Sequence, residues 1–496
     1  MSISKFMGVE QEKIKKVYGV SSANIKKIYG VEFTPPSTGT FSFDITIAGA
    51  DDFELPINGG GAGYAQNFTV DWGDTNSSTI TSYDDADRTH SYAGLGTYTV
   101  ILSGTCEWFK FNNVGDKTLI VELNEFTGDM GFKIIQFYGC SNLHTACSFG
   151  TMDYLITASS LFRGCTLLSS LASGIFDGLV NVISFSLAFD SCRALTTLPV
   201  NIWKYNILVT SFYRVLKDCS DLGSLPTDVW RYNTLATNFS FCLSGCNNSS
   251  FTALPADVWT YNVDATNFSS SLREGNYLTS LPTDVWKYNV DVNDFDNVMN
   301  GCYRITSFSA DIFRFNILVT DFSYALYDCH SASLTSLPAD IWTYNVDVVN
   351  FTAVLTLCTK LTSLRDDIWR YNVDVTTFAE CVSACYELAT LPADTFRYNV
   401  LATSFYSSFN ACNKLQQHST IFCAIGDEST RFAGQTINFT NCFKRSSFTG
   451  TQGTAPDLWN YTMTASTKTD CWEGAGNSTT SLDNYASIPG TWGSTN

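Results

Sequence analysis

The chain has few charges and no long apolar run, and each shortage excludes a class of protein. Charged residues make up 15% of the 496 residues, below the ~25% of an average soluble protein. The hydrophobic share of 45% nevertheless excludes a disordered chain. No apolar run approaches the ~18 residues of a membrane-spanning helix, so we expect no membrane insertion. The first residues lack the apolar segment of a Sec signal peptide, so we expect no such signal.

Histidines are also scarce, which weakens the case for a metal site or a catalytic triad. The four histidines are His90, His144, His330 and His418. None has partners at the spacing of zinc ligands or of a nucleophile and its base. The glycine-rich loop at residues 59–63 lacks the Lys-Ser/Thr pair of a phosphate-binding loop. We therefore predict a non-enzymatic protein with no catalytic residue, metal or cofactor.

The net charge of −18 is unevenly distributed along the chain. Residues 1–33 hold six lysines and three glutamates, a net charge of +3, so the remainder carries −21. Nucleic-acid binding depends mainly on neutralising phosphates with basic residues. A body this acidic therefore predicts no nucleic-acid partner.

Seventeen cysteines would suggest disulfides, but they are only about 3% of the chain, far below the ~8–10% of disulfide scaffolds. Without a signal peptide, we expect the chain to fold in a reducing cytosol, where thiols stay free. Disulfides between cysteines of adjacent repeats are the alternative. We favour buried thiols, because cysteine is among the most buried residue types.

A repeat of about 27 residues dominates the chain, with two steps of 29. Its aromatic positions are Trp203, Trp230, Trp259, Trp286, Phe313, Trp342, Trp369 and Phe396. Each aromatic is followed by Asn three residues later and by Phe nine residues later. Cys follows sixteen residues later in seven of the eight units, with Gly275 as the exception. This period predicts a solenoid in which equivalent side chains of stacked turns form rows.

These repeats resemble BspA-type leucine-rich repeats, whose F-x-x-C-x-x-L-T-x-L-P core recurs over about residues 130–420. The resemblance implies a surface module for adhesion, found in bacteria, some protists and bacteriophages. Its W-x-Y-N turn is more uniform than the family pattern. A recurring Asp two residues before the aromatic is interpreted as a cap of that turn. A glycosidase carboxylate pair is disfavoured, because an active site is a singular feature and this Asp recurs.

Period-2 alternation between residues 41 and 106 predicts a small β-sandwich. The W-G-D turn at residues 72–74, H-S-Y at 90–92 and G-T-Y-T-V at 96–100 make this segment similar to PKD-type immunoglobulin-like domains. That resemblance implies a spacer or adhesive module.

The first 33 residues repeat at a period of 11, with helix-like E-K-I-K-K and A-N-I-K-K stretches between the repeats. They resemble N-terminal repeats of tailed-bacteriophage virion proteins. The alternative interpretation is a disordered basic arm. The candidate docking residues are Phe6, Val9, Lys15, Lys16, Val17, Val20, Lys26, Lys27, Ile28 and Val31.

The predicted fold is therefore mainly β: a leucine-rich-repeat solenoid preceded by a PKD/Ig-like β-sandwich and an N-terminal anchor arm. The predicted segments are an arm (1–33), a linker (34–40), the sandwich (41–106), a junction and N-cap (107–130), the solenoid (131–412), and degenerate repeats with a C-terminal cap (413–496).

The leading functional hypothesis is a bacteriophage tail or capsid appendage located in the virion. Its arm would bind other virion proteins, and its solenoid would bind a host surface glycan or protein, with a homo-oligomer left open. Capsid decoration and a cellular BspA-type adhesin are alternatives. A carbohydrate-active enzyme is the hypothesis we favour least.

Overall fold

The structure, a computed structural model, describes residues 39–49, 52–447, 453–475 and 482–493, together with six two-residue strands before residue 33. The described residues form strands, turns and short 3-10 helices, and contain no α-helix. The prediction of a mainly-β fold is confirmed. None of the described helices is long and apolar enough to cross a membrane. The 3-10 helices are Asn58–Gly63, Ala86–Arg88, Lys117–Leu119, Leu458–Asn460, Tyr485–Ser487 and Gly490–Trp492.

The 11-residue repeats each form a two-stranded antiparallel ladder. The pairs are β1 (Lys5–Phe6) with β2 (Val9–Glu10), β3 (Lys16–Val17) with β4 (Val20–Ser21), and β5 (Lys27–Ile28) with β6 (Val31–Glu32). Lys16 and Lys27 end the stretches interpreted as helix-like, and both begin strands. The helix interpretation is wrong at these two residues, and the rest of both stretches lies outside the described residues.

A seven-stranded sheet is built around β7 (Gly39–Ile47), whose alternate side chains are fully buried from Phe41 to Ile47. Its strand order is β10-β9-β12-β7-β14-β16-β17. The other strands are β8 (Asp52–Glu54), β9 (Gln66–Asp71), β10 (Ser77–Ile80), β11 (Thr89–Ser91), β12 (Gly96–Cys106), β13 (Trp108–Lys110), β14 (Ile120–Thr127), β15 (Ile134–Gln136), β16 (Thr145–Ala146) and β17 (Ser170–Leu171). Two small sheets, β8 with β11 and β13 with β15, accompany it.

This sheet continues from the N-terminal strands into the repeats. β14 pairs antiparallel with β7 on one side and parallel with β16 on the other, and β16 pairs parallel with β17. The pairing therefore changes from antiparallel to parallel at β14. Because parallel pairing is what joins successive repeats, β14 provides the edge on which they stack.

Residues 134–447 and 453–475 form a stack of coils, which we call the repeat stack. Successive coils are joined by parallel bridges at the residue before the recurring Phe, as at Asn238–Asn267, Asn267–Asp294 and Asp294–Asp321. The bridging residue is Ser, Thr, Asn or Asp because its side-chain oxygen accepts a hydrogen bond from the N–H two residues later. Asn267 Oδ1, for example, accepts from the N–H of Ser269 at 2.9 Å. The last coils pair through β18 (Phe432–Asn438) and β19 (Met463–Thr467).

After the bridge, each coil places two residues in the left-handed region, four positions apart. In one coil these are Arg214 (φ 55°) and Asp218 (φ 57°). Their N–H groups donate to the next coil, to Ser240 O at 3.0 Å and Ser244 O at 2.8 Å. The intervening Lys217 N–H donates three residues back within its own coil. The backbone is thus satisfied between coils without a continuous strand.

Four inward rows run through the repeat stack and form its core. The Trp side chains are fully buried and their rings stack, with centroids 5.9 Å apart between Trp230 and Trp259. The recurring Phe residues stack in the same way, at 5.5 Å between Phe239 and Phe268. No coil could bury these faces alone, so each coil is stabilised by its neighbours.

The Asn row hydrogen-bonds each coil to the preceding one. Asn289 Nδ2 donates to the carbonyl oxygens of Trp259 (3.1 Å) and Asn262 (2.7 Å), and the other seven residues of the row repeat this pattern. At the C-terminal end a buried arginine takes the same place, because Arg431 Nη2 donates to Phe396 O (3.2 Å) and Asn399 O (2.9 Å). The row therefore ends on a guanidinium.

The recurring cysteines, from Cys165 to Cys412, form the fourth row. All seventeen cysteines of the chain are unpaired, and sixteen are buried. Each thiol of the row donates to a carbonyl oxygen of the preceding coil, as Cys302 Sγ does to Leu272 O at 3.3 Å. Burial raises the pKa of Cys246 and Cys302 to about 12. These thiols therefore stay protonated and unreactive at neutral pH.

Candidate binding surface

The W-x-Y-N turn places its Tyr on the surface, directly beside the buried Trp. The exposed fractions of these tyrosines lie between 36% and 48%. They are Tyr205, Tyr232, Tyr261, Tyr288, Tyr344, Tyr371 and Tyr398, with Phe315 at the equivalent position of the remaining coil. Two residues further on lies an aliphatic residue in seven of the eight coils, exposed by 44–55%. Those residues are Ile207, Val263, Val290, Ile317, Val346, Val373 and Val400.

We call these tyrosines and aliphatic residues, with Phe315 and the basic residues between Trp and Tyr, the tyrosine ridge. Ridge residues of successive coils are spaced as the coils are. The buried Trp and Phe rings of those coils stack with centroids 5.3 to 6.5 Å apart. Monomeric soluble proteins rarely expose so continuous an apolar strip, so we take the ridge as the candidate binding surface.

Basic side chains connect the tyrosines of adjacent coils. Arg231 lies over the ring of Tyr261 at 4.8 Å, and Arg370 lies over that of Tyr398 at 4.9 Å. Such contacts contribute about 0.5–1 kcal/mol each at exposed sites. They hold the rings in place, so the ridge presents an ordered surface. Tyr and Arg are also the residue types enriched in the cores of interfaces.

The recurring Asp residues face these basic side chains. Arg314 and Asp311 form an ion pair at 3.0 Å, and Lys287 and Asp284 one at 3.4 Å. The backbone N–H of Lys287 donates to the backbone carbonyl of Asp284, not to its carboxylate. The interpretation of this Asp as a turn cap is therefore wrong for these coils. The carboxylates of Asp284 and Asp311 pair with cations of the ridge instead.

A second, half-buried surface varies from coil to coil, and we call it the variable face. It consists of the positions ten, eleven and fourteen residues after the Trp. One coil has Tyr213, Arg214 and Lys217 there, whereas another has Asp296, Asn297 and Asn300. Neighbouring side chains of this face pack together, and the Arg214 guanidinium lies 5.0 Å from the ring centre of Phe241.

Eight of the ten predicted docking residues lie in the three N-terminal ladders. The apolar residues form cross-strand pairs, one per repeat: Phe6 with Val9, Val17 with Val20, and Ile28 with Val31. Lys16 pairs with Ser21 and Lys27 with Glu32. Lys15 and Lys26 lie outside the described residues. The period of 11 thus corresponds to one ladder per repeat.

His90, in β11, contacts a carboxylate and an aromatic ring. His90 Nε2 lies 2.8 Å from a carboxylate oxygen of Asp74, and its ring stacks on Trp72 at 4.9 Å. Burial opposes ionisation of Asp74, but hydrogen bonds from His90 and Asn76 outweigh it and lower its pKa. In the described residues, no group of three or more His, Cys, Asp or Glu side chains could hold a metal ion.

Sequence reasoning missed two features of these surfaces. The exposed row was visible as the recurring Tyr of W-x-Y-N, beside Lys or Arg in most coils, but the pattern alone did not distinguish a solvent-facing Tyr from the buried Trp. Arg431 had no signal at all, because it lies in the degenerate region where the period breaks down.

Comparison with known proteins yields only distant similarities. No protein-family profile and no curated protein matches the chain. A chain in the structure of the Toll–Spatzle complex of Drosophila is 16% identical, with a TM-score of 0.25. The match covers 58% of this chain and 35% of that one, so it spans about a third of the solved chain's length. A leucine-rich cell surface protein of Faecalibacterium prausnitzii is 14% identical over 51% of this chain and 73% of that one, with a TM-score of 0.15.

Proposed function

We propose that this protein is a non-enzymatic appendage of a tailed-bacteriophage virion. In this proposal the repeat stack is a leucine-rich-repeat solenoid of the BspA type, and residues 41–106 are a PKD-type spacer. The tyrosine ridge adheres to the host surface, and residues 1–33 attach the protein to the particle.

The observation that carries the adhesive part is the exposure of the tyrosine ridge. Eight successive coils present an aromatic ring, and seven of them an exposed aliphatic side chain beside it. Such a surface loses unfavourable contact with water when it is covered. Because the same chemistry recurs at every coil, the ridge suits a ligand that also repeats, such as a cell-surface polysaccharide.

The N-terminal ladders support the docking part. Each joins one apolar pair, and a two-stranded ladder of two residues per strand is too small to be stable by itself in water. We infer that a second protein stabilises them. Lys16 and Lys27 at the strand starts can pair with acidic groups of that protein.

The docking part is tested by a chain that begins at residue 39. It should fold as the full chain does, because the sheet and the repeat stack have their own cores, but it should be absent from purified particles. Immunogold electron microscopy of particles with full-length and shortened protein measures this. Shortened protein at full occupancy would contradict the docking role.

The adhesive part is tested with the double variant Tyr261→Ser and Tyr288→Ser. We expect at least a tenfold loss of attachment to host cells, measured by flow cytometry with the labelled full chain. Replacing the same residues with Phe should retain attachment, since Phe315 already occupies this position. The matched control is Tyr324→Ser with Tyr327→Ser on the variable face. Equal losses for both serine pairs would refute the assignment to the ridge.

A further inference from the structure

A cleft of about 450 Å³ lies where the tyrosine ridge meets the C-terminal part of the chain. The ridge contributes Arg397 and Val400, Leu401 lies next to Val400, and residues 423–435 contribute the opposite wall. Its volume falls within the ~300–1,000 Å³ range of small-molecule sites. Val400 and Leu401 are half exposed, so the apolar side of the cleft is open to a ligand.

Arg431 lines this cleft and is an unusual cation. Its exposed fraction is only 8%. Nε donates to Phe422 O at 2.9 Å and Nη2 to two carbonyl oxygens at the end of the Asn row, whereas Nη1 is buried and has no partner among the described residues. No carboxylate of the described residues forms an ion pair with it. Burial lowers its pKa to about 10, so it is still charged at neutral pH.

A buried cation without a counter-anion is costly, and an anionic ligand relieves that cost. Arginine suits a carboxylate in particular, because its planar fork of N–H groups matches the two oxygens. Uncompensated charge in a cleft beside an adhesive surface therefore points to a carboxylate ligand.

The remaining lining identifies what carries the carboxylate. Gln435 Nε2 donates to Val400 O at 2.9 Å, which leaves Gln435 Oε1 without a donor. Asp427 also lines the cleft and can only accept hydrogen bonds when ionised. The cleft thus combines a cation with acceptors that need hydroxyl donors and with short apolar side chains. A sugar acid offers a carboxylate, several hydroxyls and a C–H face, whereas an acidic peptide side chain offers no hydroxyls.

We propose that this cleft binds the carboxylate-bearing sugar of an acidic saccharide, with Arg431 holding the carboxylate and Gln435 and Asp427 accepting from its hydroxyls. The proposal rests on the proposed adhesive function only for the choice of a saccharide. Binding of a free sugar acid is measured in solution, so it succeeds or fails independently of attachment to cells or particles.

The experiment is isothermal titration of the full chain with sodium glucuronate, glucose and N-acetylglutamate amide. We expect saturable binding of glucuronate with a Kd of about 1–10 mM, and at least tenfold weaker binding of the other two. No saturable glucuronate binding would overturn the proposal, as would equal binding of glucose. Equal binding of the glutamate derivative would assign the cleft to acidic peptides instead.

Leu401→Asp locates the site, because it adds a negative charge at the cleft. The fold accepts this change, since Asp occupies the equivalent position in four other coils, as Asp291 does. We expect at least tenfold weaker glucuronate binding. The control is Leu318→Asp, the same change three coils away, which should leave binding unchanged. Equal weakening by both variants would place the site elsewhere.

Arg431→Gln tests the cation itself. Gln keeps an amide that can donate to the carbonyls, as Asn does in the other coils, and should abolish glucuronate binding. Retained binding would refute the role of Arg431. Circular dichroism checks that the variant folds, and Leu401→Asp carries the test if it does not.

Discussion

We predict that the hydrogen bonds of the Asn row hold adjacent coils together, and Asn289 is the residue at which to test this. Its side chain is fully buried, and its Nδ2 is the donor in both hydrogen bonds to the preceding coil. Asn289→Asp keeps the shape of the side chain but replaces that donor with an oxygen facing two carbonyl oxygens. We expect a large loss of stability at neutral pH.

The magnitude follows from the contacts of Asn289. Asn289→Ala removes two hydrogen bonds of about 1 kcal/mol each, so it should cost about 2 kcal/mol. Asn289→Asp also buries an unpaired charge, and such charges cost about 3–5 kcal/mol. Burial raises the pKa of the new carboxyl above its unfolded value of about 3.9. The folded state then binds more protons than the unfolded state, so the stability deficit grows as pH rises above about 4.

Urea denaturation at about pH 4.5 and pH 7.5, followed by circular dichroism, measures both effects relative to the unmodified chain. The control is Asn142→Asp, at an exposed Asn whose Nδ2 also donates to a carbonyl, Thr118 O at 2.8 Å. It should change stability by less than about 0.5 kcal/mol, because water replaces the lost partner. If Asn289→Asp costs no more than Asn142→Asp, or if its deficit is independent of pH, the Asn row does not join the coils as we argue.

Two further predictions concern the other rows. Thiol titration should find few reactive cysteines in the native protein and nearly all seventeen after denaturation, since burial raises the pKa of thiols such as Cys246 to about 12. Extensive disulfides in non-reducing mass spectrometry would contradict this. Asp284→Asn should lower the free energy of unfolding by less than about 1 kcal/mol, because its ion pair with Lys287 is solvent-exposed. A loss above about 2 kcal/mol in urea denaturation would show that the carboxylate has a further structural role.

The inward rows could be predicted from the sequence because every coil meets its neighbours in the same way. The Trp and Asn positions, occupied by Trp259 and Asn262 in one coil, recur at fixed spacing because each residue must match the equivalent residue of the adjacent coil. The period therefore revealed which residues share a row. It did not reveal what each row does, because the bonds of Asn289 to the preceding coil depend on the path of the backbone.

That path is the part that local sequence could not predict. Left-handed backbone usually calls for Gly or Asn, yet Arg214, Phe241 and Tyr324 all adopt it at the same position of their coils. Their N–H groups donate to the following coil, so the stacking imposes the conformation. The pairing of β14 with both β7 and β16 was hidden for a similar reason. It joins segments that are far apart in the chain, and alternation within one segment carries no information about its partners.

The contrast between the tyrosine ridge and the variable face supports the assignment of the ridge as the binding surface. Burial explains why inward residues repeat, but it does not constrain side chains that face water. On the variable face the chemistry accordingly changes from Tyr213 to Asp296 at one position. On the tyrosine ridge, which is more open to solvent, an aromatic ring persists in all eight coils. If copying of the repeat alone preserved the ridge, the variable face would be preserved too. Stacking with a neighbouring Lys or Arg explains part of this persistence. Where Thr260 and Thr343 replace the cation, Tyr261 and Tyr344 still have one from the preceding coil, Arg231 at 4.8 Å and Arg314 at 4.7 Å. Ring and cation therefore persist together, as expected if both belong to the surface that the ridge presents.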